Sequence, residues 1–224
     1  MKGKLIVIEG VDGSGKQTQS EELYRRLKNE GYKIMKISFP DYEAESSALV
    51  KMYLRGDFGD NPEEISPYVA SSFFAVDRYA SFQTKWKEFY QSGGVVIADR
   101  YTTSNMVHQA SKISDATERD KFLDWLYELE FMMYKIPVPD LVFFLDVPPE
   151  ITMEMTKKRL NKITGEELKD IHEKDFHHMD SSYQNAHHVA NKYGWRKINC
   201  VEEKAILSIS EIAEKIYSEV LNGF

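Results

Sequence analysis

A glycine-rich stretch, Gly10-Val11-Asp12-Gly13-Ser14-Gly15-Lys16-Gln17-Thr18, follows directly on a short apolar run and is itself followed by a helical pattern beginning at the lysine. The spacing nearly fills G-x-x-x-x-G-K-[ST], in which successive backbone N–H groups wrap phosphate oxygens at a helix N-terminus and the lysine adds a point charge. Gly10, Gly13, Ser14, Gly15, Lys16, Gln17 and Thr18 are therefore the residues expected around the phosphates of ATP. A ligand-free turn would account for the glycines but not for Lys16. A dinucleotide-binding G-x-G-x-x-G is excluded, because Asp12 stands where its second glycine belongs. One position departs from the pattern: the hydroxyl that normally ligates Mg²⁺ directly after the lysine is replaced by Gln17, and comes one residue later at Thr18. Mg²⁺ is still expected with the ATP, held mainly by the phosphates themselves with Gln17 and Asp99 nearby, since this ion keeps several waters and borrows phosphate oxygens.

A second group of reactive side chains lies at Asp99-Arg100-Tyr101-Thr102-Thr103-Ser104-Asn105. It follows another apolar run, and ligands of open parallel sheets bind beyond the carboxyl ends of the strands, which would bring Asp99 and Arg100 to the crevice of the glycine loop. An arginine there can bridge two phosphates with its planar fork, or form only a salt bridge at the strand end.

Five β-rich runs could position these groups: Lys4–Glu9, Lys33–Phe39, Gly94–Ala98, Leu141–Val147 and Trp195–Val201. Between them lie helical stretches at Lys16–Glu30, Ala44–Arg55, Ile65–Gln91, Thr103–Ile136 and Glu150–Tyr193, with a last amphipathic helix near Ser208–Leu221. The alternation predicts an α/β fold: a five-stranded parallel sheet of the P-loop NTPase type, flanked by helices on both faces. Residues 1–224 read as one domain, with no repeat or linker to divide them. Lys157–Asp175 is dense in both charges and poor in large apolar residues, and fits either a solvated helical hairpin or a lid, within a lid segment of about 150–180.

With 29 Lys+Arg against 36 Asp+Glu the net charge is −7, which disfavours a nucleic-acid partner while leaving room for a small anion in a locally cationic pocket. The lone Cys200 cannot form an internal disulfide. No apolar run approaches the roughly 20 residues of a membrane span, and the N-terminus lacks a signal-peptide core. A cytoplasmic protein without a membrane partner is expected.

In sum these motifs resemble the thymidylate kinase family over most of the chain. Glu9–Lys16 resembles its phosphate loop, Phe39-Pro40-Asp41-Tyr42 its F-P motif, and Asp99-Arg100-Tyr101 with Ser104-Asn105 its D-R-Y/H-x-x-S signature. Phe74-Ala75-Val76-Asp77-Arg78 is similar to its base-holding helix, and Leu145–Glu150 to the fourth strand and lid entry. The resemblance implies transfer of a phosphoryl group from Mg²⁺–ATP to dTMP, the step that feeds dTTP synthesis. Lys16, Arg100, Asp12 and a lid arginine, Arg159, would be catalytic. The dTMP site would comprise Asp12 at the sugar 3′-hydroxyl, Phe39, Phe74, Arg78, Asp99, Arg100 and Asn105, with Tyr42 and Tyr101 near the monophosphate and His108 near C2′. Phe74 and Arg78, four residues apart, share a helix face, so the ring could stack on a pyrimidine while the guanidinium donates to a carbonyl. Phe74 could equally be core, Asp12 a stabiliser of its turn, and Arg159 a solvated charge. The family also implies a homodimer, for which the aromatic-rich run Tyr68–Tyr90 offers a face, although core packing explains those residues as well.

Other readings remain open. A related nucleoside or nucleoside-monophosphate kinase would take another acceptor, and Glu9 lies where a nucleoside kinase could place its general base. A non-catalytic nucleotide-binding regulator is suggested by Gln17 and the arginine-poor lid. A GTPase is disfavoured, because the nearest approach to N-K-x-D, Asn161-Lys162-Ile163-Thr164, lacks the aspartate. Asp57-Phe58-Gly59 reads as a turn, without the other protein-kinase signatures. Histidines 172, 177, 178, 187 and 188 have the wrong helical spacing for a zinc site and are expected on the surface of the lid helix.

Overall fold

In a computed structural model the described residues are 2–59, 64–157 and 176–223. Arg159, together with His172, Glu173 and the other lid-tip residues, lies outside them. The strands are β1 (Lys4–Glu9), β2 (Ile34–Ser38), β3 (Val95–Asp99), β4 (Leu141–Asp146) and β5 (Arg196–Asn199). They form one sheet in the order β2-β3-β1-β4-β5 with every neighbouring pair parallel, as the alternation of strands and helices predicts. A short antiparallel pair, β6 (Val201–Glu202) and β7 (Ala205–Ile206), precedes the last helix.

The central strands β1 and β3 are buried on both faces because each supplies two cores by simple alternation. Leu5 and Val7 pack on one side with Val96, Ala98, Trp86, Tyr90 and Phe122. Ile6 and Ile8 pack on the other with Ile97, Leu23, Leu27, Ile212 and Ile216. The first core is covered by the segment that follows α3 (Pro67–Ser81), through Phe82, Trp86 and Tyr90, and by α6 (Ala116–Tyr127), and the second by α1 (Lys16–Asn29) and α9 (Ile209–Gly223). The edge strands β2 and β5 are partly exposed, and β5 is the shortest of the five.

Several expected helices are interrupted. The stretch from Ala44 begins as a 3₁₀ turn at Glu45–Ser47 before α2 (Ala48–Arg55), which ends at Gly56 with φ 86°. After α3, a π-helical turn at Phe82–Trp86 leads into α4 (Lys87–Gln91). The stretch expected as one run from Thr103 to Ile136 breaks into α5 (Thr102–His108), a 3₁₀ turn and α6. A second π-helical turn, Glu128–Met133, follows directly on α6. The break before α6 coincides with Asp115, whose carboxylate accepts from the Glu118 N–H and caps a new helix start. The segment that fits a lid or a solvated hairpin is flanked by α7 (Pro149–Lys157) and α8 (Phe176–Tyr193). Cys200 is buried.

Because all five strands run the same way, the ends of β1, β2 and β3 meet at one edge. Ser38 and Ile8 both pair with Asp99, so the segments leaving these strands start side by side. Ile97 lies at the centre of this arrangement and is fully buried. Ile97→Ala should destabilise the fold by about 2–5 kcal/mol, read as a lower urea midpoint with an unchanged slope.

Candidate functional site

The glycine loop turns sharply off β1. Gly10 cannot carry a side chain, because a Cβ there would come within 2.5 Å of Ser14 Oγ and 3.2 Å of the Leu145 carbonyl. Gly15, at φ 91°, caps α1 in the left-handed region that glycine adopts at no steric cost. Lys16, the first residue of α1, folds back over the loop, and its Nζ donates to the Gly10 and Val11 carbonyls at 2.8 Å each and lies 3.7 Å from Asp12 Oδ1. Ser14 Oγ is buried within the loop with no hydrogen-bond partner, a donor left over where a phosphate oxygen would fit. Gln17 is exposed and Thr18 half-buried at the start of α1.

Arg100 follows β3 with φ 67°, an unusual value for a residue with a side chain. Its N–H donates to the Ile8 carbonyl, and this bend turns the guanidinium over the glycine loop, where Nη2 pairs with Asp12 and Nη1 lies 3.3 Å from His108 Nε2. Asp99 is nearly buried at the strand end and acts electrostatically on both Lys16 and Arg100.

Burial opposes ionisation of Asp12, yet Arg100 and then Lys16 hold its carboxyl well below the usual range. For Lys16, burial and then the neighbouring Arg100 push the ammonium down to about 8, against the pull of Asp12, Glu9 and Asp99. Arg100 stays charged: burial lowers its affinity for the proton, but Asp12, Glu9 and Asp99 more than restore it. His108 is driven well below its ordinary value, first by burial and then by Arg100, which Asp12 only partly offsets. It is thus a neutral imidazole at pH 7.

Glu9 is fully buried. One of its oxygens accepts from the Gly10 N–H at 2.9 Å, and the other accepts from the hydroxyls of Thr103 and Ser104 at 2.6 and 2.7 Å. Both oxygens thus already have protein donors, whereas a general base for a hydroxyl acceptor needs an oxygen turned to that hydroxyl.

A cleft of about 580 Å³, mouth included, opens beside these cations. Asp12, Phe39, Tyr42, Phe74, Arg78, Arg100, Tyr101, Asn105 and His108, nine of the residues expected around the acceptor, line it. Phe74 is half-buried, with its ring edge-to-face on Tyr53 at 6.0 Å, so it is a cleft wall and not plain core. Asn105 donates through Nδ2 to the Ser71 carbonyl at 3.3 Å. The Phe39-Pro40-Asp41 turn is tied to α3 by Asp77, which accepts from the Asp41 N–H and the Ser46 hydroxyl.

Two expectations need correction. Tyr101 is completely buried and its hydroxyl donates to the Pro137 carbonyl, so it offers the cleft its body and not the polar contact anticipated near a monophosphate. His178, expected on the lid-helix surface, is buried and stacks with His108 at 6.3 Å, because α8 packs against α5. His187 instead sits 3.1 Å from Asp146, and His188 is exposed near Asp120.

Gln109 and Leu54 also line the cleft, and the buried Gln109 Oε1 has no partner. Glu130 underlies it, bound to Arg78 through both oxygens. None of these three was singled out from the sequence. Glu130 left a trace there: it continues the core-facing series Phe122, Leu126 at four-residue spacing, where an acid must be paired.

The thymidylate kinase family model matches residues 8–212. The chain belongs to the thymidylate kinase family. It is 30% identical to a thymidylate kinase of Mycobacterium tuberculosis H37Rv over 172 residues, covering 76% of this chain and 78% of that protein. Similarity to a probable thymidylate kinase of Thermococcus kodakarensis runs to 27% over 218 residues, 96% and 94% of the two chains. A probable thymidylate kinase of Archaeoglobus fulgidus is 32% identical over 156 residues, covering 69% and 70%.

Lys16 provides a direct check on the phosphate loop. Near pH 8.5 a lysine with its pKa depressed to about 8 is mostly neutral in the free protein. A polyphosphate beside it favours the cation, so ATP binding at about that pH should take up a fraction of a proton. Calorimetry in buffers of different ionisation enthalpy would measure the uptake, and Lys16→Met should abolish it.

Proposed function

We propose that the protein transfers the terminal phosphoryl group of ATP to dTMP, giving ADP and dTDP. The observation that carries this reading is that Asp12 of the glycine loop, Arg100 after β3 and the Phe74–Arg78 face of α3 line one continuous cleft. A phosphate-binding element thus adjoins a pocket with a flat aromatic wall and a guanidinium, which suits a nucleoside monophosphate better than an isolated anion.

In the proposed complex the base lies on Phe74, with Arg78 donating to a carbonyl and Asn105 at the base edge. Asp12 accepts from the sugar 3′-hydroxyl, and Phe39 and Tyr42 close the side wall. His108, neutral, stands near C2′. Lys16 exchanges the Gly10 and Val11 carbonyls for phosphate oxygens, Gly13 to Thr18 surround the remaining ATP phosphates, and Arg100 turns from Asp12 to span donor and acceptor. An oxygen of the acceptor phosphate bonds to the γ-phosphorus as the bond from that phosphorus to the β–γ bridging oxygen breaks, and ADP leaves. No general base is needed, since the acceptor phosphate, with a second pKa of about 6, is already mostly dianionic at pH 7. Arg159 is proposed to add positive charge from the lid.

The hard oxygen donors of Asp99 and of the Gln17 amide fit a Mg²⁺ that ATP brings with it. When bound, the ion would supply charge neutralisation between the β- and γ-phosphates.

No described helix is long and apolar enough to cross a membrane. We place the protein in the cytoplasm, as a single domain acting on small molecules. For its assembly we propose a homodimer. On α3, Tyr68, Val69, Val76 and Tyr79 are exposed and, with Met132 and Met133 also exposed after α6, they offer an apolar face for a second copy.

An acceptor panel of dTMP, dUMP, dCMP and thymidine, followed by ADP release, tests the reaction; turnover is expected with dTMP, and little with thymidine. Lys16→Ala should lower kcat by about 10²–10³-fold, the usual cost of losing one preorganised stabiliser of transition-state charge, with a much smaller change in melting temperature. Undiminished activity in that variant would refute the mechanism. Sedimentation should give a dimer, and Val76→Glu should shift it to monomer.

A further inference from the structure

Arg78 is the most deeply buried cation bordering the cleft, and it is not free to approach a ligand from any direction. Its Nε donates to Glu130 Oε2 at 2.7 Å and its Nη2 to Glu130 Oε1 at 2.6 Å, a two-point pairing along one edge of the guanidinium. Glu130 has no exposed surface and the Arg78 side chain almost none. The same carboxylate accepts from the Thr102 hydroxyl at 2.9 Å, so it is anchored to the segment that carries Arg100. What remains are the second Nη2 N–H and the two on Nη1, and Nη1 makes only a long 3.4 Å contact to the Tyr101 carbonyl.

We infer that Glu130 is a positioning residue for acceptor specificity, fixing Arg78 so that only the edge of the guanidinium away from Glu130 serves the base and neutralising its charge so that the base pocket does not compete for phosphate. This rests on the proposed dTMP reading and deepens it.

Two physical arguments support the assignment. An unpaired arginine in a sheltered cleft would be the strongest anion site available, and a phosphate could bind there in the wrong orientation. Pairing with Glu130 leaves a donor with little net charge, suited to a neutral carbonyl oxygen. Secondly, an arginine held along one edge presents fixed N–H directions, which favour a base bearing a carbonyl at the recognised position over one bearing an amino donor there. The backbone is shaped for this contact: Glu130 lies within the π-helical turn Glu128–Met133, a rare conformation common at functional sites, and its own carbonyl accepts from the Ile136 N–H.

The test compares wild type, Glu130→Gln, Arg78→Met and the double variant in steady-state assays with dTMP, dCMP and ATP. Glu130→Gln should raise KM for dTMP by about tenfold and lower the dTMP-to-dCMP ratio of kcat/KM similarly, while KM for ATP moves less than about twofold. In the Arg78→Met background the same substitution should add less than about twofold to either quantity, because the partner it acts through is gone. Unchanged dTMP KM and selectivity in Glu130→Gln, or equal effects in both backgrounds, would overturn the inference. Should Glu130→Gln fail to fold by thermal melting, Glu130→Asp carries the test: it keeps the charge but retracts it, and should give the same pattern at smaller size, with an unchanged pattern counting against the inference. A wild-type protein without dTMP turnover would refute the proposed reaction itself, whereas a wild type active on dTMP with indifferent variants would refute only the role of Glu130.

Discussion

The cleft depends first on the buried carboxylate of Glu9. A fully buried anion is costly unless each lone pair is met, and here the donors come from both sides of the crevice: the Gly10 N–H from the loop after β1, and the Thr103 and Ser104 hydroxyls from the helix after β3. Those three bonds tie the phosphate loop to the segment bearing Arg100. They also place a fixed negative charge behind Lys16 and Arg100, which helps both remain cations in a sheltered place. Loop geometry and the charge of Lys16 and Arg100 therefore rest in part on the same side chain.

A division of labour among the cations follows. Lys16 and Arg100 are held by partners that a ligand can replace: loop carbonyls for the first, Asp12 for the second. Arg78 is held by Glu130, a partner buried beneath it. The two exchangeable cations suit phosphates that arrive and leave, and the permanently paired one suits an uncharged group. The net charge of −7 is thus compatible with a polyanion site, since attraction is delivered by a few groups whose pairing differs.

Much of this was legible from residue order. The apolar runs yielded the strands, since buried parallel strands need continuous apolar sequence, and the glycine pattern before Lys16 yielded the sharp loop between β1 and α1 through local backbone requirements alone. The i, i+4 relation of Phe74 and Arg78 survived as a shared cleft wall. Properties that depend on tertiary partners were not legible. Nothing local says that the Tyr101 hydroxyl turns to Pro137, that His178 is buried against His108, or that Arg78 is claimed by a residue 52 positions away. The π-helical turns were likewise hidden, because hydrophobic spacing distinguishes helix from strand but not one extra residue within a turn.

The backbone of Arg100 carries an implication for how this chain can change. A non-glycine residue at φ 67° sits in a region that disfavours a Cβ, so the fold would be more comfortable with glycine there. Glycine would keep the bend and discard the guanidinium. The position therefore marks a place where backbone comfort and the contacts of the guanidinium with Asp12 and His108 pull in opposite directions, so a gain in one is a loss in the other.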